Sequence, residues 1–450
     1  MAPRTYQIVT YGCQMNAYDS EFMAGILEAR GLRRAAKEQD ADLILVNTCI
    51  VRGSAEERAM GRLMRLKAFK NGRPDRILGV CGCLAQRNAE TLLDKAPHVD
   101  LVLGTRAIPN LSALIDRILE GRGPIACVDE EVDPYPDSIR AVRRSALRVL
   151  VPIMSGCDNW CSYCVVPSVR GREKSRSVNT ILTEIEQLVG EGCREVTLVG
   201  QNVNSYRGAD ATGREIDFAE LLERVDAIED LQRIRYITSH PRDANARHVD
   251  AVARLAKVCD HFHLPVQSGS NSVLERMNRG YTREHYLALI RSIRERMPDA
   301  TITTDLIVGF PSETERDYED TLDLMREVRF DSAFTFLYNV REGTRAAKDY
   351  PDDVPLQVKK ERLSRLIEIQ EKTSLEKNRA LESRRLEVLV EGPAKRADHP
   401  DRRGDMMGRT TGDKCVIFEG DKSDIGQIVT VRIVEGASHT LFGEKEILSQ

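Results

Sequence analysis

The chain has 450 residues, 41% hydrophobic and 30% charged, with 66 basic and 70 acidic side chains and a net charge of −4. That length allows about three domains at roughly 150 residues each, and the composition excludes disordered, collagenous and mostly transmembrane chains. The longest wholly apolar runs, such as residues 43–46, fall far short of the roughly 20 residues that span a bilayer. No basic segment followed by an apolar one opens the sequence, so no secretory signal is expected; the expected location is cytoplasmic, with no membrane partner. Eleven cysteines in a reducing compartment point to metal or redox chemistry rather than disulfides. The overall charge gives no sign of a nucleic-acid partner.

Between residues 5 and 120, short apolar runs (7–12, 42–47, 76–82, 101–104) alternate with stretches at helical spacing, such as 20–30 and 55–69. This alternation predicts an open, mostly parallel α/β sheet, with ligands beyond the carboxyl ends of its strands. Residues 121–145, rich in Gly, Pro and acidic side chains, read as a linker. Six strand-like runs follow, at 147–154, 194–200, 233–238, 261–266, 301–309 and 332–339, between longer helical segments. Six βα units predict a partial (β/α)6 barrel with function at its carboxyl rim. A helical segment, 356–384, then leads into strands punctuated by Gly and Asp, which predict a small antiparallel β-barrel. The expected domains are 1–121, 146–375 and 383–446.

The sharpest local signal is SGCDNWCSYCVVP, which puts Cys157, Cys161 and Cys164 within eight residues, just after the first barrel strand. Three thiolates this close can hold one face of a 4Fe–4S cluster and leave one iron free, whereas electron-transfer clusters take four cysteines. Structural zinc is the plain alternative, but closed zinc sites want four ligands and the next cysteine is Cys193. A second set is dispersed: Cys13, Cys49 and Cys83 each follow an expected strand of the first domain. Parallel topology would gather them at one sheet edge, where a second open-iron cluster fits. Cysteines filling strand–helix corners as small apolar residues are the alternative, and the better reading for any one of them alone. Cys81 is expected inside the sheet as a non-ligand, and Cys127, Cys193, Cys259 and Cys415 as structural thiols.

The CxxxCxxC spacing resembles that of radical S-adenosylmethionine (SAM) enzymes. Over nearly its whole length the chain resembles one family among them, the radical SAM methylthiotransferases. The resemblance is carried by YGCQMNAYDSE (11–21), VNTCIVRGSAEERA (46–59), CGCLAQR (81–87), GCDNWCSYCVVPSVRGREKSR (156–176) and LVGQNVNSY (198–206). It continues through TSHP (238–241), HLPVQSGS (263–270), MNRGYTREHY (277–286) and TTDLIVGFPSET (303–314), and residues 383–446 resemble the RNA-binding TRAM module. HLPVQSGS, MNRGYTRE and LVGQNVNSY look most like the branch that modifies isopentenylated adenosine in tRNA. RGSAEE (52–57) and REGTRAA (341–347) depart from the usual pattern, away from any cluster cysteine.

The resemblance implies that Cys157, Cys161 and Cys164 hold the 4Fe–4S cluster that cleaves SAM. It implies equally that Cys13, Cys49 and Cys83 hold an auxiliary 4Fe–4S cluster for sulfur insertion. SAM contacts are implied for Gly200, Gln201, Asn202, Gln267, Ser268 and Gly309, although glycines at strand ends also serve turn geometry alone. The implied reaction moves a methylthio group to C2 of N6-isopentenyladenosine next to the tRNA anticodon, using two SAM molecules. The implied partners are a tRNA anticodon stem-loop and a flavodoxin- or ferredoxin-type low-potential electron donor, with the enzyme a monomer. A sister enzyme acting on a ribosomal-protein aspartate or a differently modified adenosine is one alternative. A non-enzymatic iron–sulfur sensor that binds RNA is another, and two three-cysteine sets argue against it.

Charge points to RNA only locally. Arg140, Arg143, Arg144, Arg148, Arg170, Arg172, Lys174 and Arg176 stand against Asp158 and Glu173 around the first triad, a stripe that could contact phosphates or simply be solvated. From residue 380 onward 11 basic side chains face 13 acidic ones, so Arg402, Arg403 and Arg409 are the best local candidates there. Trp160, the only tryptophan, is expected to pack.

Overall fold

The first strands are apolar runs buried on both faces, the pattern of a parallel sheet covered by helices on either side. The structure, a computed structural model, describes residues 3–50, 53–128, 135–136, 138–395 and 404–446. Strands β1 (Thr5–Thr10), β2 (Arg33–Arg34), β3 (Leu43–Thr48), β4 (Ile77–Gly82), β5 (Leu101–Leu103) and β6 (Ile125–Cys127) pair in parallel in the order β2-β1-β3-β4-β5-β6. Strand periodicity splits their side chains between two cores. Leu43, Leu45, Leu101 and Leu103 pack against α1 (Gln14–Ala29) and α4 (Leu111–Leu119). Ile44, Val46, Val80 and Val102 pack against α2 (Gly53–Arg65) and α3 (Cys83–Lys95).

The expected linker is partly core. Ile125–Cys127 joins the sheet, Tyr135 packs edge-on against Tyr18 and Phe22, and Ala141 is buried. The Arg140 backbone lies so close to Gly25 that a Cβ there would meet its carbonyl oxygen at 1.9 Å. Gly, Pro and acidic content signals the absence of a long element; it does not reveal that the few apolar residues between them bury.

All six expected barrel strands are present. β7 (Arg148–Pro152), β10 (Glu195–Val199) and β13 (Arg233–Tyr236) form one parallel trio, and β14 (His261–His263), β15 (Thr301–Val308) and β16 (Ser332–Leu337) the other. A bridge between Ile234 and Val258 joins the two trios. Short pairs β8 (Met154–Ser155) with β9 (Lys174–Ser175) and β11 (Arg207–Ala209) with β12 (Glu215–Asp217) brace the rim loops. Around the strands run α5 (Val166–Arg170), α6 (Val178–Gly190), α7 (Phe218–Asp226), α8 (Ala246–Arg254), α9 (Asn271–Arg276), α10 (Arg283–Arg296), α11 (Glu315–Val328), α12 (Arg345–Asp349) and α13 (Leu356–Arg379). Their starts are set by side-chain caps: Ser177, Asp217, Asn245, Thr282 and Thr314 each accept a backbone N–H of the following first turn.

The tail closes into a barrel, β17 (Arg385–Pro393), β18 (Asp405–Arg409), β19 (Cys415–Glu419), β21 (Leu441–Lys445) and β20 (Ile428–Gly436) in that circular order. One pairing departs from the antiparallel expectation: β19 and β21 run parallel, because β20 lies on the far side between them in sequence. Val388, Val390, Met406, Phe418, Val431 and Ile433 fill its interior.

This barrel is seated on the amino ends of the half-barrel strands, opposite the rim. Arg233 and Arg235, both on β13, donate to the carbonyls of Arg409 (2.6 Å), Glu387 (3.1 Å), Thr411 (2.7 Å) and Thr410 (2.5 Å). Glu195, fully buried at the start of β10, holds Arg235 at 3.0 Å and Arg148 at 2.7 Å. Removing Arg235 leaves Glu195 with Arg148 alone and strands the Thr410 and Thr411 carbonyls. Arg235→Met should therefore cost about 1–3 kcal/mol in urea unfolding and raise amide hydrogen exchange across residues 385–445. Unchanged exchange there would show that these contacts do not hold the barrel.

Candidate active site: two thiol triads

Cys13, Cys49 and Cys83 meet because β1, β3 and β4 end at the same edge. Cys13 caps α1, Cys49 stands one residue beyond β3, and Cys83 opens α3. Two glycines permit the approach. A Cβ on Gly12 (φ +132°) would fall 2.6 Å from Cys49 Cβ, and one on Gly82 (φ +91°) 2.4 Å from the Thr48 carbonyl oxygen. A buried polar girdle fixes the strand ends: Asn47 Nδ2 donates to the Asn16 carbonyl (2.8 Å) and Ser20 Oγ (2.9 Å). Asn16 Nδ2 donates to Asn47 Oδ1 (3.1 Å) and the Thr48 carbonyl (3.0 Å), and Thr48 Oγ1 to the Cys81 carbonyl (2.5 Å). Burial pushes the Cys83 thiol up to about 12, opposed by the Arg170 guanidinium and reinforced by Cys49 and Cys13. Cys81 points to the opposite face of the sheet, in the core under α1; Cys127, Cys193 and Cys259 are buried and Cys415 half-buried.

The second triad lies on the loop after β7 and β8. Gly156 (φ +81°) is where the backbone crosses the Arg172 carbonyl, 1.9 Å from any Cβ placed there. Its N–H donates to Gln201 Oε1 (2.6 Å), and the Asp158 N–H to Glu173 Oε1 (3.2 Å), whose other oxygen accepts from Ser205 Oγ (2.9 Å). Burial pushes Cys157 up to about 11, opposed by hydrogen bonds from Asn159, and Cys164 up to about 12, reinforced by Cys161. Trp160 corrects the packing expectation. Its left-handed backbone (φ +49°) turns the indole outward, and it is 53% exposed. Among the described residues no three His, Cys, Asp or Glu groups close around a single metal ion; a 4Fe–4S cluster asks instead for thiolates spread one per iron.

α5 links the triads. It begins two residues after Cys164, and Val165 and Val169 join the core beneath α3. Thr105 Oγ1 donates to the Val169 carbonyl at 2.5 Å. At the end of α5, buried Arg170 donates to Asp19 Oδ2 (2.5 Å) and Tyr135 OH (3.3 Å), and Tyr135 OH to Asp19 Oδ1 (2.8 Å). The loop of one triad is thus fixed to the domain that carries the other. Nothing local in sequence announces this, since Asp19 and Arg170 are 151 residues apart.

The expected SAM-contact positions divide. Gly200, Gln201 and Asn202 follow β10, and Asn202 donates to Asp243 (2.7 Å) while its Oδ1 is buried without a hydrogen-bond partner. Ser239 Oγ and His240 Nε2, on the neighbouring loop after β13, are likewise buried and unpartnered among the described residues. Such orphaned groups suit a polar ligand. Burial, Arg279 and Arg242 push the His240 imidazole far down, so it is neutral. The TSHP motif was the available signal for these two residues, with no role attached. Gln267 holds a left-handed backbone (φ +73°), its N–H donating to the Asp305 carbonyl and its carbonyl accepting from the Ile307 N–H. Ser268 and Gly309 are turned to packing instead: Ser268 Oγ meets Thr321 Oγ1 (3.3 Å) and accepts from Ser270 N–H, and the Gly309 N–H donates to Glu313 (2.9 Å) beneath Lys359.

The basic stripe is largely internal. Arg143 pairs with Glu21 and Glu184, Arg148 with Glu195 and Glu391, Arg170 with Asp19, and Arg176 with Glu184. Of the exposed members, Arg140 pairs with Glu191 and Arg172 with Asp158, and Arg144 donates to Thr10, which leaves Lys174 as the freest charge. Counting along the sequence missed carboxylates that folding brings from elsewhere. Arg409 pairs with Glu391 and Asp413, and Arg402 and Arg403 lie outside the described residues.

Accessibility differs sharply within the first triad, with Cys13 exposed and Cys49 and Cys83 buried. In metal-free protein, iodoacetamide at about pH 8 should modify Cys13 roughly tenfold faster than Cys83 or more, as read by peptide mass spectrometry. Equal rates would mean the three do not share this edge.

Comparisons with known proteins follow the same three-part division. Residues 5–104 match the uncharacterized protein family UPF0004, 151–325 the radical SAM superfamily, and 379–445 the TRAM domain. A tRNA-2-methylthio-N(6)-dimethylallyladenosine synthase of Pelotomaculum thermopropionicum is 50% identical over 437 residues, 96% of this chain and 95% of the relative. The enzyme of the same name from Moorella thermoacetica is 48% identical, with 98% of each chain covered. Among solved structures, the radical SAM methyltransferase TsrM of Kitasatospora setae with tryptophan and a SAM analogue bound matches at a TM-score of 0.55 and 15% identity, covering 76% of this chain and 75% of that one. That likeness concerns the fold.

Proposed function

This chain belongs to the family of tRNA-2-methylthio-N(6)-dimethylallyladenosine synthases, radical SAM methylthiotransferases, and on that premise we propose how its residues divide the work. It is an enzyme that transfers a methylthio group to C2 of N6-isopentenyladenosine next to the tRNA anticodon, with SAM and 4Fe–4S clusters as cofactors. Cys157, Cys161 and Cys164 hold the cluster that engages SAM, and Cys13, Cys49 and Cys83 hold the auxiliary cluster for sulfur insertion. When bound, these groups supply the one-electron chemistry that opens an aromatic C–H, for which no side chain is strong enough.

The chain's own residues do the positioning. Asn202, Ser239 and His240 offer their unpartnered polar atoms to SAM, with Gly200, Gln201 and Gln267 shaping the backbone around it. Ser268 and Gly309 support that rim from behind. The observation that carries the reading is α5: its burial against α3 ties the loop of one triad to the domain that carries the other, and a reaction that draws on both clusters at a single carbon needs such a tie.

The substrate adenine must leave its stack to reach this wall, which a single-stranded anticodon loop makes inexpensive. Because the tail barrel sits under the opposite end of the half-barrel, an RNA touching both runs along the flank. β7 has five residues and spans roughly 17 Å at about 3.3 Å per residue, within the length of an anticodon stem-loop. We assign the physiological electron donor to the flavodoxin or ferredoxin class, and the enzyme to the cytoplasm as a monomer.

Purified, reconstituted enzyme should methylthiolate isopentenylated tRNA in preference to unmodified tRNA, threonylcarbamoylated tRNA and the small-subunit ribosomal protein, by mass spectrometry of nucleosides and peptides. Preferred turnover of any of the last three would overturn the substrate. Cys49→Ala should abolish product, lower iron from about eight to about four per chain and still release 5′-deoxyadenosine. Undiminished product from it would sink the auxiliary-cluster assignment. In the same iron assay, Cys81→Ala should keep both clusters.

A further inference from the structure

MNRGYT forms a cradle for the CxxxCxxC loop. The Ser162 N–H donates to the Met277 carbonyl (2.9 Å), Ser162 Oγ to the Arg276 carbonyl (2.7 Å) and Asn278 Nδ2 to the Trp160 carbonyl (2.9 Å). The next residue, Arg279, is 4% exposed and aims Nη1 at Cys161 Sγ, 3.3 Å away. Its other donors meet neutral oxygens: Nη2 the Pro265 carbonyl (2.6 Å), Nε the Tyr281 hydroxyl (3.1 Å) and Nη1 the Tyr163 hydroxyl (3.5 Å).

Three of the other buried arginines have a carboxylate opposite, Arg170 with Asp19, Arg235 with Glu195 and Arg362 with Glu313, and Arg233 donates to the Arg409 and Glu387 carbonyls under the tail barrel. Among the described residues Arg279 has no carboxylate. A buried cation without a counter-charge is costly; burial pushes the Tyr163 and Tyr281 phenols up and keeps them neutral, so the contact that a bound cluster would make anionic is the Cys161 sulfur. Three thiolates on a 4Fe–4S core make a net anion, and one added electron makes it more negative. Hydrogen bonds to cluster sulfurs and nearby charge set such a cluster's potential, with greater effect in a low-dielectric interior.

We propose that Arg279 is the counter-charge of the cluster held by Cys157, Cys161 and Cys164, a positioning residue whose N–H···S contact with Cys161 makes that cluster easier to reduce. This rests on the triad assignment above. The step concerned is a single electron passing from an external low-potential reductant into the cluster; no bond or proton moves. Beside Cys83 of the auxiliary triad the Arg170 guanidinium is already paired with Asp19.

The test uses the full chain carrying Cys13→Ala, Cys49→Ala and Cys83→Ala, so that only one cluster is loaded, titrated with dithionite and read by EPR of the reduced cluster. Arg279→Gln should disfavour reduction by tenfold or more, a downward shift of at least about 59 mV for one electron. Arg279→Lys, which keeps the charge, should shift it less, and Asn278→Ala, which loosens the cradle without removing charge, should leave it near the parent. An iron-loaded Arg279→Gln protein at the parent potential, or an equal shift from Asn278→Ala, would overturn the role. If Arg279→Gln holds no iron, Arg279→Lys decides: a retained cluster near the parent potential supports a charge role, and lost iron overturns it. A parent that binds no iron would overturn the triad assignment itself.

Discussion

The Arg170–Asp19 ion pair, 2.5 Å long with side chains 5% and 1% exposed, is what the rest of the arrangement depends on. It fastens the end of α5 to α1, and α5 is the direct continuation of the loop that bears Cys157, Cys161 and Cys164. Burying two charges gains little net stability, since desolvation offsets the attraction, but losing one partner costs about 3–5 kcal/mol. Such a pair therefore selects one docking geometry over near alternatives. Tyr135 completes it by donating to Asp19 while accepting from Arg170, and so draws the stretch beyond β6 into the same lock. Two separately folded domains could keep their cluster loops only as close as a flexible linker allowed; here packing of Val165 and Val169 sets the separation.

Placement of the tail barrel follows a similar logic with a different outcome. Arg233 and Arg235 have side chains buried beneath it, and their donors are used by backbone carbonyls of β17, β18 and the turn after β18. Carbonyls in a loop make a fixed acceptor array that a mobile appendage could not hold. The barrel is thus a built-in plug of the amino end, and only the surface outside that contact is open to a partner. The carboxyl rim and the tail barrel are separated by the length of the half-barrel strands.

How much of this was legible depended on whether the signal was local. Strand periodicity placed β7, β10, β13, β14, β15 and β16, because each is a contiguous apolar run. The Cys13, Cys49 and Cys83 edge was legible because parallel topology converts three separate strand ends into neighbours. The linker was misread because Tyr135 and Ala141 bury against α1, a contact no window of sequence contains. The arginine stripe failed for the same reason: Asp19, Glu184 and Glu195 arrive from other elements. Ser268 and Gly309 were expected at the ligand by their place after a strand; which way a hydroxyl or N–H turns there is decided by Thr321 and Glu313 on the covering helix and its lead-in. Arg279 sat within a recognised motif, but its burial against Cys161 depends on the turn between α9 and α10.

Burial sets the charge state of the thiols in the metal-free fold. Burial raises Cys157 to about 11, and Cys83 and Cys164 to about 12, from an ordinary thiol value of 9.0, so at neutral pH these groups are uncharged and add no unpaired anion to the interior. The folded state holds their protons more tightly than the unfolded chain does. Their contribution to metal-free stability is therefore fully present below about pH 9 and is lost as pH rises through about 11–12. Iron must displace those protons to bind, because only thiolates ligate. On the proposed ligand assignment, loading would convert buried neutral groups into an anionic cluster, beside which the two arginines stand differently. Arg170, beside Cys83, is already paired with Asp19, whereas Arg279, beside Cys161, meets that sulfur and neutral oxygens. The guanidinium beside Cys83 and the one beside Cys161 thus differ in whether a carboxylate already holds them.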